Sequence, residues 1–345
     1  MAGALASELA GKGLAGIAPW ITAAALQHPR DLAAHLVQRL GCSRRVAGGL
    51  LRQLVAAQWL VVAGGTPRKP THAPGPLRQV VRQYPLSGLQ EDLPWRRDFA
   101  PCFHLPDSVR RMAHHAFTEL LNNAVDHSGG SIVTVSMRQT PLHLQLVVSD
   151  DGCGLFDRIA QSFAIDDPAL AMLELSKGKL TSQPERHSGH GLFFNARMAD
   201  VFDVHSNRVG FQHRAWDASS WHATRSAPHS GTSVYMAIAL DTRRTLEGVL
   251  RAASVDGGYG FERTRVPLRL IGDRQALASR ADARRVASRL ERFQHAEIDF
   301  GGIDDVSHAF ADELFRVFRH LHPGVALAPL GMGPRVTAML QSVGA

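Results

Sequence analysis

The run Phe117-Thr118-Glu119-Leu120-Leu121-Asn122-Asn123-Ala124-Val125-Asp126-His127-Ser128 constrains this chain more than any other. Val109, Met112, Ala113, Ala116, Phe117, Leu120, Leu121 and Ala124 recur at helical spacing, which predicts an amphipathic helix with a broad apolar face. At 3.6 residues per turn, Glu119, Asn123 and Asp126 fall on one stripe. Such a helix shows acid and amide to a ligand while its back enters a core. Taken alone, the E-x-x-x-N spacing also describes an ordinary solvated helix face.

Three further segments follow. Asp150-Asp151-Gly152-Cys153-Gly154 comes after a strand-like run from His143 to Ser149. Gly189-His190-Gly191-Leu192 opens an apolar helical stretch, and Gly231-Thr232 precedes the apolar run Val234 to Leu240. Each glycine motif alone reads as a turn or loop. In this order and spacing, the four segments resemble the nucleotide site of the GHKL ATPases, the superfamily of DNA gyrase, histidine kinases and the heat-shock chaperone ATPases.

The chemistry of the segments agrees with that resemblance. Magnesium takes hard oxygen ligands and keeps several waters, so the Asn123 carbonyl oxygen plus phosphate oxygens makes a reasonable shell. A carboxylate one turn earlier, Glu119, suits a general base acting on an attacking water or hydroxyl. Asp150 would accept a hydrogen bond from an adenine amino group, with Gly152 and Gly154 letting backbone pass close to the base. Gly189 and Gly191 free the backbone at a helix start, where N–H groups and the dipole favour phosphate. By the resemblance, Thr232 joins Asp150 at the adenine, and Asp126 and Leu192 line the nucleotide. A lid between Phe156 and Ser188 is expected to bring Lys177, Lys179 and Arg186 near phosphate positions. The implied cofactors are ATP and Mg²⁺.

At 345 residues, two or three small domains are expected. We expect a mixed α+β and α/β multidomain fold: residues 1–74 a winged helix-turn-helix, 75–106 a Pro-rich linker, 107–256 a Bergerat-type ATP-binding α/β sandwich, and 257–345 a small STAS-like α/β domain. No run of 18 uncharged apolar residues occurs, and the N-terminus lacks a basic region followed by an apolar core, so no membrane contact and a cytoplasmic location are expected. Cys42, Cys102 and Cys153 are odd in number and form no C-x-x-C pair, as befits reduced thiols. The 18 histidines show no ligand spacing that suggests a metal site.

The formal charge excess is N-terminal. Residues 1–80 carry nine Lys or Arg against Glu8 and Asp31, a balance of 9 − 2 = +7, while the remainder carries 38 − 9 = 29 bases against 31 − 2 = 29 acids. Asp31 precedes a helical run, Leu32 to Leu40, that Gly41 ends; Ser43 starts a second, Arg44 to Gln58, with Val46, Leu50, Leu51, Leu54 and Val55 as its apolar side. Trp59 to Val62 reads as a strand, and Gly64 to Pro70 as the tip of a wing. The segment resembles a winged helix, with Arg44, Arg45 and Arg52 on the recognition helix and Arg68 and Lys69 on the wing. Duplex DNA is one partner for such a module; an adaptor that binds protein, its arginines merely solvated, fits the same pattern.

Pro74, Pro76, Pro85, Pro94, Pro101 and Pro106 break the next stretch, so it cannot build the long two-helix hairpin that carries the acceptor histidine of a histidine kinase. His114 and His115 lie on the nucleotide helix itself, and autophosphorylation on histidine is not expected. No G-x-x-x-x-G-K-[ST] motif occurs.

From about Gly257 the pattern alternates: Arg265 to Ile271 strand, Ala281 to Phe293 helix, His295 to Phe300 strand, Ala309 to His320 helix, Gly324 to Leu330 strand and Gly333 to Val343 helix. The segment Ile298 to Phe315 resembles the strand-loop-helix of STAS-like domains, the class of anti-sigma factor antagonists. The phosphorylatable serine of that class would fall at His308 or Ala309, and Ser307 stands one or two residues early. A protein partner docked on this module is expected. The whole reads as an intracellular, nucleotide-dependent switch in transcription or signalling; the alternative is a Ser/Thr protein kinase of the anti-sigma-factor kinase type.

Overall fold

The structure, a computed structural model, describes residues 13–180, 189–217, 221–225, 229–272 and 277–344. The fold is mixed α/β and multidomain, and the chain divides into two compact units. One comprises Met1–Leu121, Ser131–Ser149 and Ala237–Thr242; the other comprises Asn122–Gly130, Asp150–Met236 and Arg243–Ala345.

In the first unit, helices α1 (Gly13–Gln27), α2 (Leu32–Leu40) and α3 (Arg44–Ala56) enclose Ile17, Ile21, Leu36, Leu51 and Leu54. Gly41 ends α2 in the left-handed region at φ 62°, as expected of a C-terminal glycine. Asp31 makes no capping bond; its carboxylate instead lies 3.4 Å from His28. Ser43 does cap α3, accepting from Val46 N at 3.3 Å. The α3 helix stops at Ala56 rather than Gln58, which adopts φ 63°. Its buried side runs through Ala47, Leu51 and Leu54, and Val46, expected inside, is 50% exposed.

Strands β1 (Leu60–Thr66) and β2 (Lys69–Pro74) form an antiparallel hairpin, so Gly64, Gly65, Lys69 and Pro70 lie within strands and only Pro67-Arg68 forms the tip. Gly65 has φ 88° and faces the Lys69 backbone oxygen, which a Cβ would strike.

The stretch 75–106, expected from its prolines to be a linker, contains strand β3 (Arg78–Pro85), antiparallel to β4 (Ile132–Gln139) from Arg78↔Gln139 to Pro85↔Ile132. The prolines bracket the strand instead of interrupting it, Pro85 being its last residue. Helical turns over residues 92–102 then bring Trp95 and Phe99 to Phe117, with ring centroids 5.3 and 5.1 Å apart. Phe117 belongs to α4 (Asp107–His127), and all eight apolar positions expected on that helix are buried. Strand order in this unit is β3-β4-β5, with β5 at His143–Asp150.

In the second unit, α5 (Leu155–Phe163), α6 (Pro168–Lys177) and α7 (Gly191–Met198) accompany strands in the order β9-β6-β7-β8: β6 Val201–Ser206, β7 Val209–Arg214, β8 Trp221–Arg225 and β9 from Thr232. After α8 (Leu246–Ala252), the chain forms a parallel three-stranded sheet, β10 (Arg263–Pro267), β11 (His295–Asp299) and β12 (Ala326–Leu330). The strand expected at Arg265 to Ile271 ends at Pro267, whose ring supplies no amide donor, and Arg269–Gly272 turns helical. Helix α9 is Arg280–Ala287, opened by a Ser279/Asp282 capping box; a 3₁₀ turn, Leu290–Arg292, replaces its expected last turn. Helix α10 spans residues 308–321 with a π segment at Asp312–Phe318, and α11 is Pro334–Ser342.

Candidate functional site

Asp150 is the node of a hydrogen-bonded loop cluster within the second unit. Its Oδ1 accepts from Gly152 N at 2.9 Å and from Thr232 N at 3.2 Å; the other carboxylate oxygen receives neither. The Thr232 hydroxyl accepts from Leu155 N at 2.9 Å, which leaves its O–H proton to donate. Burial pushes the Asp150 carboxyl above the usual carboxylate range, while the two amides pull it back down.

The glycines here let the chain approach itself. A Cβ on Gly152 would run into the Ser128 carbonyl oxygen, one on Gly231 into that of Asp150, and one on Gly130 into the Asp151 carboxylate. Gly154 has φ 92°, and a Cβ there would run into Asn207 Nδ2. The loop is thus stitched to the end of α4: Cys153 N donates to Ser128 O at 3.0 Å, and Arg158 Nε to His127 O at 2.8 Å.

Asn207 is a residue the sequence reading missed. Its Nδ2 donates to Cys153 O (3.0 Å) and Asp157 (2.6 Å), its Oδ1 accepts from Gly231 N (3.2 Å), and its backbone N donates to Gly231 O (3.1 Å). It clamps the Asp150 loop to the Gly231-Thr232 segment. The available signal was Ser206-Asn207-Arg208 between two strands, since asparagine tolerates the left-handed region that this residue occupies at φ 53°.

Asn123 and Asp126 are partly exposed on α4, off the face that buries Leu120, Leu121 and Ala124. Glu119 belongs to the first unit, one turn after His115, whose buried Nε2 has no partner among the described residues. Burial holds His115 below the usual histidine pKa, and the Glu119 charge opposes that.

The second glycine pair flanks His190 at the start of α7. Gly189 has φ 69°, a Cβ there would strike the Leu180 backbone, and the Gly189 carbonyl accepts from Lys179 N at 3.0 Å. Gly191 is the first, buried residue of α7, and Leu192 follows it partly exposed. His190 beside them rests on Phe261, ring centroids 4.6 Å apart.

Lys177 and Lys179 were expected near phosphate positions. Lys177 is instead fully buried, donating to Glu174 at 2.5 Å and Ser288 O at 3.0 Å, and Lys179 donates to Arg292 O at 2.8 Å and sits over the Phe293 ring. Burial of the ammonium is energetically allowed because a carboxylate and a carbonyl lie in contact with it. Arg186, expected beside them, lies outside the described residues.

Arg44, Arg45, Arg52, Arg68 and Lys69 are all exposed, and none is paired with a carboxylate among the described residues. No cluster of three or more metal-ligating side chains exists among the described residues. No described helix is long and apolar enough to cross a membrane.

The donors of the Asp150 cluster suit a purine. A carboxylate oxygen beside a hydroxyl donor matches the amino donor and ring-nitrogen acceptor that adenine shows on one edge. The Asn123 carbonyl oxygen is of the hard type magnesium prefers, so the residues present fit both groups.

Residues 93–214 match the model of the histidine kinase-like ATPase domain, which implies ATP binding, usually with Mg²⁺. Residues 282–329 match a STAS-like domain of unknown function (DUF4325), a protein-interaction module. A search of curated proteins finds no match to the chain. The chain therefore carries a histidine kinase-like ATPase domain followed by a STAS-like domain.

Proposed function

We propose that residues 107–256 form a Mg²⁺-ATP-binding domain whose occupancy is passed to the STAS-like region, residues 257–345, making the protein a nucleotide-dependent switch in transcription or signalling. In this reading Asp150 and Thr232 take the adenine edge, Asn123 supplies the magnesium oxygen, and Glu119 orients or deprotonates the nucleophile. Asp126, Gly152, Gly154, Gly189, Gly191 and Leu192 line the nucleotide.

One observation carries the coupling. Helix α6, downstream of the Asp150 loop, is clamped to the STAS-like region through charged groups: Arg289 donates to Glu174 Oε2 at 2.7 Å and to its backbone oxygen at 3.0 Å, and Thr264 Oγ1 donates to Lys177 O at 2.7 Å. A nucleotide that moved α6 would have to move or break that clamp, so each region would sense the other's state.

We further propose that residues 1–74 act as a winged helix that meets duplex DNA through Arg44, Arg45 and Arg52 on α3 and through Arg68 and Lys69 on the hairpin. Three exposed arginines on a helix, with Arg68 at the hairpin tip and Lys69 beside it, support it.

Ser307 is a poor phosphate acceptor in this arrangement. Its hydroxyl caps α10, accepting from Phe310 N at 3.1 Å while donating to Ala278 O at 2.6 Å, so modification would have to break both bonds. The coupling is tested by hydrogen exchange on the full chain with and without Mg²⁺ and a non-hydrolysable ATP analogue. Changed protection in residues 168–180 together with residues 280–292 is expected; binding heat with unchanged exchange in both segments would overturn it.

A further inference from the structure

A cavity of about 390 Å³ lies in the second unit, and neither Asp150 nor Thr232 lines it. Its walls include Arg197 of α7, His213 of β7, Trp216 and Asp217 after that strand, Trp221 of β8 and Arg265 of β10. The volume is at the small end of the range for sites that take small molecules.

The cavity is basic and aromatic. The Arg265 charge is matched, Nε and Nη2 both donating to Asp299 Oδ2 at 3.1 and 2.8 Å. Arg197 differs: its guanidinium lies 3.4 Å from the Phe193 ring centroid and gives Nη1 to the Phe193 carbonyl at 3.1 Å, and no carboxylate pairs with it among the described residues. An arginine held against a ring keeps donors for a planar or tetrahedral oxyanion. Beside it, His213 Nδ1 is buried without a hydrogen-bond partner among the described residues, and the His213 ring lies 5.1 Å from that of Trp221. Trp216 stands 70% exposed at the mouth.

The electrostatics agree with the geometry. Burial, and then the charges of Arg197, Arg214, Arg244 and Arg265, push His213 down to about 4, while burial and Arg265, against the opposing charge of Glu297, push Arg197 down to about 9. A neutral imidazole beside an arginine pushed toward losing its proton marks a place where negative charge would be welcome. Asp217, the one acid of the wall, is already engaged by His222 Nε2 at 2.6 Å.

We propose that this cavity binds a small aromatic oxyanion, its phosphate or carboxylate group on Arg197 and its ring against the tryptophans, with His213 bonding to its polar edge. Arg197 supplies charge-assisted hydrogen bonds, and Trp216 can close over the ring without disturbing the core. The site is separate from the adenine cluster, so the proposal stands whether or not ATP binds there.

Phenyl phosphate, benzoate and inorganic phosphate, titrated into the full-length protein and followed by tryptophan fluorescence and calorimetry, test it. Saturable binding of phenyl phosphate or benzoate is expected, undiminished in Asp150→Asn. Arg197→Met, which keeps the stem on Phe193, should weaken it at least tenfold, and the exposed Trp216→Ala should weaken it without altering the melting curve. Binding of neither aromatic probe, equal affinity in both variants and the wild type, or inorganic phosphate binding as tightly as phenyl phosphate would each overturn the assignment. If Arg197→Met fails to fold, Trp216→Ala alone decides.

Discussion

Asp150 and Thr232 stand 82 positions apart in the sequence, yet the Thr232 amide donates to the Asp150 carboxylate at 3.2 Å. That bond fixes the acid beside a hydroxyl whose own acceptor role is filled by Leu155 N, and it makes Asp150 a preset acceptor.

Asp150→Asn tests this acceptor. The amide oxygen can still accept from Gly152 and Thr232, so the fold should persist, but an NH₂ group then replaces the other oxygen. Burying that donor against an amino group costs about 1–3 kcal/mol, a loss of roughly 10- to 100-fold in ATP affinity. Isothermal titration with a non-hydrolysable analogue reads it. Unchanged affinity in Asp150→Asn and in Asn123→Ala would remove the whole nucleotide assignment.

Glu119→Ala separates binding from turnover. A base acts on the nucleophile and leaves the ground-state ligand untouched, so nucleotide affinity should stay near the wild-type value while any release or transfer of γ-labelled phosphate disappears. Equal turnover in the variant would assign the role elsewhere.

The Glu174 clamp predicts an asymmetry. Glu174→Ala deprives both buried Lys177 and Arg289 of their carboxylate, and breaking a buried pair in this way costs about 3–5 kcal/mol. Lys177→Met should cost clearly less, because Glu174 keeps Arg289 and the new side chain is apolar. Burial already holds the Lys177 amine below its usual pKa. Urea unfolding of the two variants gives the order; equal losses would contradict it.

Stability should fall on mild acidification. Burial against Phe194 and Phe261, with Lys179 nearby, lowers His190 to about 4, and His213 is lowered to about 4 as well. A histidine depressed from 6.5 contributes stability present above pH 6.5 and lost as pH falls toward about 4, since the unfolded chain takes up the proton first. Melting temperatures between pH 8 and 4 should show this decline, and His190→Gln should flatten part of it. An unchanged slope in that variant would refute the assignment.

The N-terminal module predicts a salt-dependent mobility shift with duplex DNA. Neutralising three to five phosphates gives a slope of log affinity against log salt of roughly −3 to −5. Arg44→Ala and Arg45→Ala should weaken binding most and in a sequence-dependent way, while Arg68→Ala and Lys69→Ala should weaken it uniformly. A full-length protein that shifts no DNA even at about 50 mM salt would point to an acidic protein partner.

The sequence by itself determined the helix at Asp107–His127, its buried face, the strand that leads into the Asp150 turn and the strand that follows Gly231. Helical and alternating periodicity are local, and a chain of this length must bury such faces. What only the tertiary structure decided were pairings between distant segments. Prolines at 76 and 85 read as a linker because a single strand carries no record of its partner; β4 supplies one 51 residues on from Gln83, where its side chain reaches Thr134. Lys177 and Lys179 read as phosphate ligands because a cation near a nucleotide motif has no other visible use, whereas residues 288–292 provide a carbonyl environment more than a hundred positions away. Asn207 and the Arg197 cavity were invisible for the same reason: their chemistry arises from long-range contacts, and those are set by packing rather than by neighbours in the chain.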